Sequence, residues 1–183
     1  MPTHGTHKLG PASGALRVRT GRTGAVARAG HDLLMEVGDW DATLELAGEA
    51  TTLTLRADSS SLTVLEGTGG MMGLGDDDKA NILQTIGDEV LSRRDIEFRS
   101  TAVSADGDHY QLRGELTLAG QTHPLSFELE APAGGRILAS AVVKQTDWGI
   151  KPYTALFGAL KVADEVIVSF DGEPLGGGSP TEP

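Results

Sequence analysis

Apolar and polar residues alternate with a period of two along most of this chain. In the run from Trp40 to Leu46, every second residue is apolar and the residues between are charged or hydroxyl-bearing. Strands with one buried and one solvated face produce this pattern, because successive side chains point to opposite faces. Similar runs occupy residues 16–19, 33–37, 52–57, 96–102, 110–118, 125–131, 137–144 and 166–170. We therefore expect about nine short antiparallel strands, a number typical of a barrel or a sandwich.

One segment departs from this alternation. Between Asp78 and Leu91 the apolar residues recur at helical spacing, and three aspartates at 76–78 precede them. Carboxylates at a helix start accept hydrogen bonds from free N–H groups and complement the helix dipole. The sequence thus predicts a mostly β chain with one short α-helix over 78–91, packed across the sheet.

Charge and composition exclude several classes of function. The chain has 15 Lys and Arg against 26 Asp and Glu, a formal net charge of −11, which repels nucleic acid and anionic membrane surfaces. It has no cysteine, which excludes disulfides, thiolate metal sites and a cysteine nucleophile. The histidines show no metal-ligand spacing, and nothing requires a cofactor.

The apolar runs are all shorter than the roughly 20 residues of a transmembrane helix. The first residues also lack the apolar core of a signal peptide. We therefore expect a soluble, cytoplasmic protein without an integral membrane segment.

The chain is predicted to form one domain with a tail at each end. Residues 1–13 and 176–183 are rich in Gly, Pro, Ser and Thr, and such termini are usually mobile. Residues 14–175 contain neither a break in composition nor a repeat, so they are assigned to a single barrel domain. An edge strand of such a barrel is compatible with a homodimer, although the sequence specifies none.

Three stretches resemble the YceI-like, polyisoprenoid-binding family. Residues 114–124 are similar to its strand–turn–strand signature of Gly-x-Leu-Thr, a turn glycine and Thr-x-Pro. Residues 147–150 are similar to its Asp-aromatic-Gly-Ile stretch, and residues 162–168 follow as its closing strand. Residues 95–100 resemble the strand that follows the family's helix. The order and spacing of these stretches carry the likeness.

This resemblance implies a lipocalin-like, eight-stranded antiparallel β-barrel with an apolar lumen and a helix packed on it. It also implies a noncatalytic function, the binding, carriage or sequestration of an isoprenoid quinone, a polyprenyl chain or a similar lipid. Burying one five-carbon unit contributes at most roughly 4 kcal/mol, whereas association costs about 4–15 kcal/mol. Several units are therefore needed for useful affinity.

Alternation assigns a set of apolar side chains to the inner face of the barrel, where they would bind the ligand. They are Met35, Trp40, Leu44, Leu55, Phe98, Leu112, Leu116, Phe127 and Phe170. His31 is predicted to touch the polar head of the ligand. Only 4% of the residues are aromatic, and small inner residues suit both an open lumen and a tightly filled small barrel.

A glycine-rich segment at 65–75 also contains Met71, Met72 and Leu74. Glycine makes a segment mobile, and methionine packs around varied partners. One interpretation is a lid over the barrel mouth through which lipid enters. The other is a loose loop whose methionines plug one end.

Two further functions stay open. A small hydrolase or isomerase would use His31 as general base, but the adjacent Asp32 would point to the opposite face of a strand and would not orient it. A protein-interaction module with a filled barrel would use Met71, Met72 and Leu74 as its contact patch. Ligand binding without catalysis is the leading hypothesis.

Overall fold

The computed structural model describes residues 4–70, 72–155 and 160–175. Fourteen strands lie within these residues. They are β1 (Gly5–Leu9), β2 (Gly14–Arg19), β3 (Arg22–Thr23), β4 (His31–Val37), β5 (Trp40–Leu46), β6 (Thr52–Ala57), β7 (Leu62–Gly69), β8 (Ile96–Asp106), β9 (His109–Leu118), β10 (Gln121–Glu130), β11 (Ile137–Lys144), β12 (Thr154–Ala155), β13 (Leu160–Val162) and β14 (Glu165–Gly172). Helix α1 spans Asp76–Thr85 and continues as a π-helical turn over Ile86–Val90, and short 3₁₀ turns span Ala27–Ala29, Ser59–Ser61 and Gln145–Trp148.

Eleven of these strands form one antiparallel sheet in the order β1-β5-β6-β8-β9-β10-β11-β14-β2-β4-β7. Trp40 on β5 and Phe170 on β14 are separated by five strands in this order, yet their rings meet edge to face with centroids 5.5 Å apart. The sheet is therefore curled into a half-barrel, which confirms the predicted lipocalin-like class. The strand number is higher than the predicted eight, and β12, β13 and β3 form a small second sheet.

Strand β1 lies where the sequence predicted a mobile tail. Its backbone pairs with β5 from Gly5 opposite Leu46 to Leu9 opposite Ala42. The backbone N–H of Gly10 then donates to the hydroxyl of Ser13 at 2.9 Å, which fixes the turn into β2. The prediction of a mobile tail is therefore wrong for residues 5–13. Residues 1–3 and the predicted tail at 176–183 lie outside the described residues.

Strand β7 contains the first part of the glycine-rich segment, which the sequence interpreted as a lid or loop. Gly67 pairs with Leu33 of β4, and Gly69 pairs with His31. A Cβ atom at Gly67 would collide with Leu74, and one at Gly69 would collide with the guanidinium of Arg22. These glycines serve close packing, so a wholly mobile segment over 65–75 is wrong.

Helix α1 begins two residues before the predicted start. The backbone N–H of Gly75 donates to the Asp78 carboxylate at 2.9 Å, and Asp76, Asp77 and Asp78 occupy the first turn. At the other end the helix widens into the π-helical turn, where the N–H of Leu91 donates to the carbonyl of Ile86 at 2.8 Å. The predicted range of 78–91 is thus helical nearly throughout.

The Asp-aromatic-Gly-Ile stretch anchors a turn against the sheet. The indole N–H of Trp148 donates to the backbone carbonyl of Leu116 on β9 at 2.8 Å, and the ring is buried. Gly149 adopts a left-handed conformation with φ of 69°, which L side chains rarely adopt. Ile150 is buried beside it. This motif therefore positions one end of the half-barrel.

Candidate functional site

A cavity of about 630 Å³ lies inside the curled sheet. Most strands of the large sheet contribute residues to its wall, together with β13, helix α1, the π-helical turn and the 3₁₀ turns. Ile82, Ile86 and Val90 of the helical segment line it. The apolar face of the helix therefore meets the cavity rather than a filled core.

The inner wall is apolar but incompletely packed. Leu55, Phe127 and Val168 belong to the wall and are only partly buried, whereas Leu44, which also lines the wall, is fully buried. Protein cores normally pack as densely as organic crystals. Partly exposed apolar side chains on the inside of a sheet are therefore the expected lining of an open ligand cavity.

Most of the residues predicted to bind ligand line this cavity. Those on the wall are Met35, Trp40, Leu44, Leu55, Phe98, Leu116, Phe127, Phe170 and His31. Leu112 belongs to the packed core and does not line the cavity. Alternation indicates the face of a strand on which a side chain lies, but not whether a neighbour covers it.

Phe98 shapes one side of the wall together with two neighbours. Its ring centroid lies 5.1 Å from that of Phe127. The ring also lies over Gly114 on β9, where a Cβ atom would collide with Phe98 and with the backbone carbonyl of Arg99. The glycine of the Gly-x-Leu-Thr signature therefore makes room for an aromatic side chain of the cavity wall.

The cavity opens between the 3₁₀ turn at 27–29, helix α1 and the segment before β12. Ala29, Asn81 and Tyr153 line the cavity and are also exposed to solvent. Ala29 and Asn81 could not be predicted from the sequence, because a cavity mouth built from a turn, a helix and a loop has no periodic signal. Ile82, Ile86 and Val90 could have been found from their helical spacing, since a helix packed on a barrel turns its apolar face inward.

Several polar groups of the wall already have protein partners. The amide of Gln145 donates to the carbonyl of Ala163 at 3.0 Å, and the hydroxyl of Thr20 accepts from a backbone N–H of β4 at 3.2 Å. The Asp58 carboxylate accepts from the hydroxyl and the backbone N–H of Ser60 at 2.6 and 2.8 Å. These hydrogen bonds lower the pKa of Asp58. The indole N–H of Trp40, which also lines the wall, is buried without a hydrogen-bond partner among the described residues.

His31 lies at the opening, next to Ala29 and Gly30. Its Nε2 is 2.6 Å from the backbone carbonyl of Met72, and the ring packs on the bare Cα of Gly70. The carboxylate of Asp32 lies 3.7 Å from Nε of Arg22. Asp32 therefore pairs with Arg22 rather than with His31, as expected for neighbours on a strand.

Two of the three residues predicted to form a lid, Met72 and Leu74, lie away from the cavity wall. The Met72 side chain is 81% exposed, and Leu74 packs on Gly67. Neither contributes to the cavity wall. Met71 lies outside the described residues. Met72 takes part in the opening through its backbone carbonyl, and a prediction based on apolar side chains could not find that contact.

The described helices are all too short or too polar to cross a membrane. An antiparallel half-barrel around a large apolar cavity defines the class of lipocalin-like proteins. The model of the YceI-like domain matches residues 32–173. The chain belongs to the YceI-like domain family.

Solved structures of low sequence identity share this fold. BcnA from Burkholderia cenocepacia is 16% identical, and the match covers 85% of this chain and 94% of that chain with a TM-score of 0.59. The YCEI protein of Campylobacter jejuni is 15% identical over 76% of this chain and 82% of that chain, with a TM-score of 0.55. A polyisoprenoid binding domain from Saccharophagus degradans is 10% identical over 91% of this chain and 98% of that chain, with a TM-score of 0.49. A comparison with curated proteins found no match.

Proposed function

We propose that this protein binds one long apolar ligand in the cavity, a polyprenyl chain or a lipid of similar shape, and carries or sequesters it without changing it chemically. The observation that carries the proposal is the open cavity of about 630 Å³ with an almost entirely apolar wall. Membership of the YceI-like domain family supports the same function.

The size of the cavity indicates the length of the ligand. A cavity of about 150 Å³ holds one benzene molecule, which has six carbons. At that ratio this cavity holds about 25 carbons, the equivalent of about five isoprene units. Each buried carbon group contributes about 0.8 kcal/mol, which is enough to exceed the cost of association.

The two other functions receive less support. A filled barrel is the basis of the interaction-module hypothesis, and the open cavity argues against it. An enzyme of the triad type pairs its histidine with a carboxylate. Nε2 of His31 meets the Met72 carbonyl instead, and the adjacent Asp32 pairs with Arg22.

A cavity-filling substitution tests the proposal. Ala141 on β11 lines the cavity and is partly buried, whereas the adjacent Val142 points outward and is 53% exposed. Ala141→Phe places a ring in the space that about one isoprene unit would occupy, so we expect it to weaken binding of a phenol carrying a five-unit prenyl chain at least tenfold. Val142→Phe is the matched control and should bind as the unmodified protein does.

Binding is measured by calorimetry, with thermal unfolding as the check on folding. Because Ala141→Phe fills empty space, its melting temperature should be unchanged or higher. A folded Ala141→Phe protein with undiminished affinity would contradict the proposal, as would the absence of binding to the unmodified protein.

A further inference from the structure

His31 at the opening of the cavity has one ring nitrogen engaged by the protein. A backbone carbonyl can only accept a hydrogen bond, so Nε2 of His31, 2.6 Å from the Met72 carbonyl, carries a proton. In the neutral imidazole the other nitrogen, Nδ1, is then an acceptor. Nδ1 has no hydrogen-bond partner among the described residues.

The surroundings of His31 hold it in this arrangement. The Arg22 guanidinium donates to the carbonyls of Gly30 and Thr68, which ties the start of β4 to the end of β7. The bare Cα of Gly70 lets the imidazole approach the segment that carries Met72. Arg22 is engaged by these carbonyls and by Asp32, whereas Nδ1 of His31 has no hydrogen-bond partner among the described residues.

We propose that the opening recognises a lipid head that carries a hydroxyl group, such as a phenol, a hydroquinone or a prenyl alcohol, through a hydrogen bond donated to Nδ1 of His31. A quinone head has only acceptor oxygens and cannot make this bond. The inference rests on the proposed function, because it requires the apolar tail to fill the cavity and the head to stay at the opening. This hydrogen bond would distinguish hydroxyl-bearing lipids from quinones, which the shape of the cavity alone cannot do.

A matched pair of ligands tests the inference. One is a phenol with a five-unit prenyl chain, and the other is its methyl ether, which keeps the tail and the ring but cannot donate. The unmodified protein should bind the phenol roughly three- to tenfold more tightly, the range expected for one neutral hydrogen bond. His31→Phe keeps an aromatic ring but has no acceptor, so the ratio of the two affinities should fall to about one.

The ratio of the phenol and methyl ether affinities is compared, because a substitution that changes the width of the opening should affect both ligands alike. Tyr153 is the rival contact, since this residue lines the cavity near the opening and a tyrosine hydroxyl can accept as well as donate. Tyr153→Phe should keep the preference. Equal and tight binding of both ligands to the unmodified protein would overturn the inference but not the proposed function. A preference for the phenol that is lost in Tyr153→Phe and kept in His31→Phe would have the same consequence. Failure of both ligands to bind would contradict the proposed function itself.

Discussion

Gly114 is the residue at which the wall of the cavity depends most directly on the absence of a side chain. A Cβ atom there would collide with the backbone carbonyl of Arg99 and with the ring of Phe98. The carbonyl belongs to a paired strand and cannot move aside cheaply. We expect Gly114→Ala to lower the free energy of unfolding by about 1–3 kcal/mol, the usual cost of overpacking.

Chemical denaturation measures this change. Gly73→Ala is the control, because a Cβ atom at Gly73 has no neighbour within 4 Å. It should change stability by less than about 0.5 kcal/mol. Equal effects of the two substitutions would show that close packing is not the reason for glycine at 114.

At the scale of single residues, the sequence predicts well on which face of a strand a side chain lies, and poorly which neighbours it contacts. The period of a strand is two, so alternation assigned Leu55 and Phe127 to the side of the sheet on which the structure has them. It could not separate Leu112, which the core covers completely, from Leu116, which reaches the cavity. The contact between the Met72 carbonyl and His31 could not be predicted either, because a backbone carbonyl is present in every residue type.

At the scale of elements, β1 is the strand whose attachment should depend on pH. His7 is partly buried within it, its Nε2 is buried without a partner among the described residues, and burial lowers its pKa below 6.5. A histidine whose pKa is lower in the folded chain stabilises the fold fully above its unfolded pKa of about 6.5. That contribution is lost as the pH falls through the lower, folded value. We therefore expect β1 to detach from β5 more readily in acid.

Hydrogen exchange of residues 5–9, corrected for the intrinsic effect of pH, measures this detachment. Protection should be lower at pH 5 than at pH 7.5. His7→Leu removes the titrating group, so its protection over residues 5–9 should not depend on pH. An undiminished pH dependence in that variant would assign the effect to another group.

The elements that the sequence missed have a common physical reason. Strand β1 contains only one aliphatic residue, Leu9, and β7 ends in glycines, so neither shows a long alternation. Both are held by backbone pairing with longer strands, β5 and β4. Helix α1 was predicted because its aspartates and its apolar spacing are local signals.

At the scale of the whole molecule, the curl of the sheet leaves the cavity only partly filled by side chains. The sequence suggested an open or a filled lumen without deciding between them, because small inner residues are compatible with both. The contact of Trp40 with Phe170 closes one part of the lumen. The remaining space of about 630 Å³ depends on how far the sheet curls, which no local pattern encodes.

Native mass spectrometry with prenylated phenols of two to eight isoprene units tests the central claim most directly. We predict one ligand per chain, with retention that rises with each unit up to about five units and is then nearly constant, because further units extend beyond the cavity. Protein that is folded and yet retains no ligand of any length would contradict the claim that the cavity binds a long apolar chain.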